Sequence, residues 1–81
     1  MKLTNFIHQK NYRFTLFFKN GQNKEVDLKG LIEKNVSLND IETAQINYEW
    51  GCLEFNGGRV DIEPKNLYQY ACQNSEQNKV A

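Results

Sequence analysis

The sequence predicts an α+β fold: a small antiparallel β-sheet with short helices, the last of them over residues 64–73. Three observations carry this expectation. Residues Tyr12 to Phe18 alternate between two faces and are rich in aromatics, as a half-buried strand requires. Asn20-Gly21 and Gly57-Gly58 are turn signals set between runs that alternate in the same way. Pro64, a good first helical residue, is followed by Leu67, Tyr68, Ala71 and Cys72 at helical spacing.

At the N-terminus, Lys2 to Ile7 is expected to add a strand, joined to the next through a loop at His8 to Asn11. That register sets Ile7 by Tyr12 and Leu3 by Leu16, and places Phe6 and Phe17 together on the opposite face. The following hairpin joins Tyr12–Phe18 to Asn23–Leu28. A tight Asn20-Gly21 turn would set Phe14 against Asp27, whereas a loop of Lys19 to Gly21 pairs Tyr12 with Leu28 and Phe14 with Val26. A one-residue slip flips every side chain, so the second register is preferred, with Gly21 left-handed in a G1 bulge and Arg13 opposite Asp27.

Leu31 and Ile32 suit a short helical turn that ends at Asn35, and Ser37 is placed to cap a second turn holding Leu38 and Ile41. Gln45–Glu49 and Cys52–Phe55 flank Trp50-Gly51, and the expected register pairs Tyr48 with Leu53 and Ile46 with Phe55. The Gly57-Gly58 turn then pairs Phe55 with Val60 and Leu53 with Ile62, completing a three-stranded meander with one apolar face. Residues 1–72 read as a single domain; residues 73–81 have no periodicity and read as a disordered tail.

Composition narrows the function classes. Lys plus Arg total 10 and Asp plus Glu total 10 over 81 residues, so affinity built mainly on phosphate neutralisation is disfavoured. Uncharged polar content is heavy in Asn and Gln. No run approaches the roughly 18 apolar residues of a membrane span, and Met1 to Asn5 has no signal-like apolar core. Two cysteines are too few for the disulfide framework of a small secreted domain, so a cytoplasmic location is the expectation.

The order of aromatic strand, Asn20-Gly21, Asp27-Leu28, Leu31-Ile32, Gly57, Asp61, Pro64 and Leu67-Tyr68 resembles the small bacterial family called domain of unknown function 2442. The likeness runs to about Cys72. Where that family usually has Trp-Pro, this chain has Phe55-Asn56, and the segment at Asp40 to Thr43 is shorter. The resemblance implies an α+β domain without a known catalytic activity. Some members are joined to a helix-turn-helix domain, and some are encoded beside a small partner in suspected toxin–antitoxin pairs. Pro64 to Gln73 reads as one short helix, not as a helix-turn-helix.

No catalytic, cofactor or metal site is expected. Asp27, Asp61 and Glu63 are better explained by Arg13 and by a helix N-terminus than by acid–base work. His8, Cys52 and Cys72 show no ligand spacing; His8 reads as a solvated loop residue and both cysteines as small side chains. Gly57-Gly58 precedes a strand, so it is a turn and not a phosphate cradle.

The residues that invite a binding role are Phe6, Arg13, Phe17, Lys24 and Trp50, because exposed aromatics beside cations are what interfaces favour. The same aromatics could instead be covered by the loop around Leu38 and Ile41. The leading expectation is a non-enzymatic protein-interaction module, antitoxin-like in a two-protein bacterial system, with a protein partner or a second copy of itself. The alternative is a weak nucleic-acid-binding regulatory module in which sheet aromatics stack bases beside Arg13, Lys19, Lys24 and Arg59.

Overall fold

A computed structural model describes residues 1–74; of the tail expected over 73–81, Gln73 and Asn74 belong to the last helix and 75–81 lie outside the described residues. The order is β1 (Leu3–Lys10), β2 (Arg13–Phe18), β3 (Asn23–Asp27), α1 (Lys29–Ile32), a 3-10 helix at Leu38–Thr43, β4 (Gln45–Asn47), β5 (Cys52–Phe55), a 3-10 turn at Asn56–Gly58, β6 (Val60–Ile62) and α2 (Pro64–Asn74). The strands form two antiparallel three-stranded sheets, β1-β2-β3 and β4-β5-β6. This is the α+β fold expected, with the last helix ending one residue later, at Asn74.

The two sheets share one core. Phe14 of β2 and Phe55 of β5 are both fully buried and meet edge-on at 6.3 Å between ring centroids. Leu16, Val26, Leu28, Ile32, Val36, Leu53, Leu67 and Ala71 complete the same cluster. Tyr12 reaches into it with its hydroxyl donating to the Val36 carbonyl at 2.7 Å, so the buried phenol is satisfied. Helix α2 closes one side through Leu67 and Ala71, and Tyr68 stands perpendicular to Phe18 at 4.9 Å.

The β2–β3 hairpin follows the preferred register: Arg13 pairs with Asp27 and Phe14 with Val26. Gly21, at φ +87°, donates its N–H to the Phe18 carbonyl at 3.0 Å, and the Phe18 N–H reaches the Gln22 carbonyl at 2.9 Å. The loop is therefore Lys19 to Gly21 with the bulge at the glycine. The β5–β6 pairing also stands as expected, Leu53 with Ile62 and Phe55 with Val60.

Two other registers differ. In β1–β2, Phe6 pairs with Leu16, Ile7 with Thr15 and His8 with Phe14, a shift of three from the expected pairing. An odd shift exchanges faces, so Phe6 turns toward the core and Ile7 outward. The cause lies in two irregularities, between Leu3 and Asn5 and between His8 and Lys10, together with a turn at Asn11 (φ +53°) in place of a longer loop. The first bulge keeps Leu3 buried although Phe6 shares its side. In β4–β5, Ile46 pairs with Leu53 and not with Phe55, and Tyr48 lies in the turn. That shift of two preserves faces, so alternation alone cannot detect it.

Candidate interaction surface

Among the described residues the most exposed large apolar side chains stand on the β4–β5 connection, Tyr48 at 73% and Trp50 at 65% of full exposure. Their backbone is tightly held. Asn47 Oδ1 accepts the N–H groups of Glu49 (3.1 Å) and Trp50 (3.3 Å), an Asx turn, and the Gly51 N–H closes onto the Asn47 carbonyl at 2.6 Å. From the first sheet, Lys2 Nζ donates to the Glu49 carbonyl at 2.8 Å and the Leu3 N–H to the Gly51 carbonyl at 3.1 Å. Gly51 has φ +74°, and an added Cβ there would lie 2.5 Å from Lys2 Cβ. Only glycine lets the two sheets approach this closely at that backbone angle.

Between this turn and the start of α2 lies an open cleft of about 470 Å³, lined by Asn47, Trp50, Cys52, Asp61, Glu63 and Lys65 among others. Burial pushes the Cys52 thiol above its ordinary 9.0, and the negative fields of Asp61, Glu54 and Glu63 add to the rise. Near neutral pH the sulfur is a protonated, weakly polar wall and not a nucleophile. Glu54 is held by two amides, Gln45 Nε2 and Asn47 Nδ2, each at 3.1 Å, which ties the Asx turn to the strand beneath it.

The five residues singled out from the sequence do not converge. Phe6 is corrected to the core side, half-buried, with its ring 5.8 Å from that of Phe14. Lys24 pairs with Leu16 and so projects to the core side as well, away from Arg13 and Phe17. Arg13 and Phe17 do share the outer face of the first sheet, where Arg13 Nη2 meets Glu25 Oε1 at 3.4 Å. Trp50 belongs to the turn of the second sheet. Tyr48 stands in the same turn, and Asp61 and Glu63 line the cleft beside Trp50. An Asn preceding an aromatic-rich stretch and a glycine was the signal that could have placed Tyr48 in that turn.

The remaining candidates resolve structurally. Asp27 Oδ1 accepts the Lys29 N–H at 2.9 Å at the start of α1. His8 is not a loop residue: it sits on β1 with its ring 4.9 Å from Phe14 and Nε2 2.7 Å from the Asn11 carbonyl. Among the described residues no group of three or more His, Cys, Asp or Glu is arranged to hold a metal ion, and no helix is long and apolar enough to cross a membrane.

Pro64 opens α2, Leu67 fills the core, and Tyr68 adds a hydroxyl that donates to Gln22 Oε1 at 2.6 Å. Residues 3–72 match the family model described as Protein of unknown function (DUF2442). The chain belongs to this family. No curated protein and no solved structure matches it. The DUF2442 markers in this chain are architectural: Gly57 shapes the β5–β6 turn, Pro64 begins a helix, and Leu67-Tyr68 dock it. At Asn56 the backbone has φ +56°, which proline cannot adopt, so this DUF2442 chain turns after Phe55 by a route closed to a Trp-Pro pair.

Proposed function

We propose that this DUF2442 chain is a non-enzymatic protein-interaction module, the antitoxin-like member of a two-protein bacterial system, that meets its partner through the Tyr48–Gly51 turn. The observation that carries the reading is an exposed Tyr and Trp on backbone fixed by the Asx turn and by Lys2. Rigid aromatics lose little entropy on binding and are favoured at the centres of interfaces. The carboxylates of Asp61 and Glu63 beside Trp50 suit a partner segment that brings a cationic side chain next to an apolar anchor. The alternative of a base-stacking sheet is weakened because Arg13 engages Glu25 and Lys24 lies on the other face from Phe17.

The test is affinity capture from an extract of the source organism, with Trp50→Ala and Phe17→Glu alongside the natural chain. A specific partner lost with Trp50→Ala is expected. Recovery of no specific partner, or of one indifferent to both changes, refutes the proposal. Titration with single-stranded and duplex oligonucleotides across salt decides the nucleic-acid alternative, which requires affinity that falls as salt rises.

A further inference from the structure

Strand β1, with eight residues the longest in the structure, is an edge strand. Which backbone groups it presents outward follows from the ladder. The Phe18 N–H bonds the Gln22 carbonyl and the Tyr12 carbonyl accepts the Leu28 N–H, so even-numbered residues of β2 face β3. Thr15 and Phe17 therefore bond β1 through their partners Ile7 and Asn5. The N–H and C=O groups of Phe6 and His8 are left pointing away from the sheet. The Phe6 N–H confirms this, for it is met by the side chain of its own neighbour, Asn5 Oδ1, at 2.8 Å.

The open stretch is short and symmetric. At one end the Leu3 N–H is taken by Gly51, and at the other the strand is irregular between His8 and Lys10. Between these ends Ile7 projects from the outer face at 53% exposure. Phe17, diagonal to it through the Asn5 pairing, lies on that same face. The strand has no acidic residue and no proline, and its one charge, Lys10, lies at its end.

We propose that this edge pairs antiparallel with β1 of a second copy, on a two-fold axis through Ile7. Phe6 of each chain then exchanges both backbone hydrogen bonds with His8 of the other, its N–H leaving Asn5 Oδ1 to do so. Ile7 meets Ile7 as a non-hydrogen-bonded pair, the closer kind, flanked by Phe17 of both chains. Lys10 falls opposite Thr4, which keeps the two lysines about 20 Å apart at strand spacing. Such a contact is isologous and closed, giving a continuous six-stranded sheet and nothing larger. It is independent of the Trp50 turn. A strand pairing this short is smaller than a standard interface, so association is expected in the range of weak complexes.

Sedimentation equilibrium of the full chain from ~10 µM to ~1 mM tests it, the range in which interfaces below standard size dissociate. A monomer–dimer equilibrium is expected, weakened at least ~10-fold by Ile7→Lys, which sets like charges face to face on the axis. Ile7 is exposed, so this variant should keep its circular dichroism and melting temperature. As an independent readout, Ile7→Cys in a Cys52→Ala, Cys72→Ser background should crosslink on mild oxidation, whereas Asn5→Cys, whose copies lie about 13 Å apart in this register, should not. A chain monomeric throughout, a dimer that Ile7→Lys does not weaken, an open-ended assembly, or equal crosslinking at both positions would each overturn the proposal.

Discussion

Replacing Gly51 by alanine should be far more damaging than the same change at Gly21, although both glycines have positive φ, +74° and +87°. At Gly21 nothing lies within 4 Å of the added methyl, so the cost is the left-handed backbone alone, about 1–2 kcal/mol. At Gly51 the same cost applies, and the methyl also lies 2.5 Å from Lys2 Cβ and 2.8 Å from Lys2 Cα. The second contact is with backbone, so the chain entering β1 must itself move. That movement strains the Leu3–Gly51 hydrogen bond, between buried residues, and the exposed Lys2–Glu49 bond, worth about 1–2 kcal/mol together in net terms. The sum is about 2–4 kcal/mol. In a domain of this size 1 kcal/mol moves the midpoint by roughly 4–8 °C, so Gly51→Ala should lower Tm by about 8–32 °C and Gly21→Ala by about 4–16 °C. Thermal unfolding followed by circular dichroism measures both. Equal shifts would show that the sheets do not touch at Gly51 as described.

Other outcomes follow from single contacts. Tyr12→Phe leaves the buried Val36 carbonyl without its donor and should cost about 1–3 kcal/mol in urea unfolding, while Tyr68→Phe, losing an exposed bond to Gln22, should cost less than about 1 kcal/mol. Leu53→Ala, at a fully buried position between β4 and β6, should cost about 2–5 kcal/mol by the same measurement. Because folding raises the Cys52 thiol above 9.0, the unfolded chain loses that proton first as pH rises. The stability the thiol contributes is thus intact below pH 9 and declines above it, so the difference between the natural chain and Cys52→Ala should narrow there.

How much could be read from the sequence depended on whether two independent signals met at one place. At β2–β3 the apolar alternation and the Asn20-Gly21 turn admit one common register, and it is the one found. At β4–β5 parity allowed two registers, and the choice between them rests on the Asn47 side chain, which binds the Glu49 and Trp50 amides and starts the turn earlier. At β1–β2 the bulges break the period of two that the reading relied on, so Phe6 and Ile7 exchange sides. The binding candidates inherited these outcomes. Trp50 remained exposed because a turn tip is exposed in either register, whereas the pairing of Phe6 with Phe17 depended on a strand register that alternation could not supply.

Each sheet is wired in chain order, β1-β2-β3 and then β4-β5-β6, with every ladder between neighbours in sequence. Hairpins of this kind close short loops and can form early and separately, while contacts across the chain must close a long one. Folding of this molecule is then a problem of two halves finding each other, and the Leu3 amide, bonded to Gly51, reports on the late event. Its hydrogen exchange should track the joining of the sheets, while amides inside the β2–β3 hairpin track a more local opening.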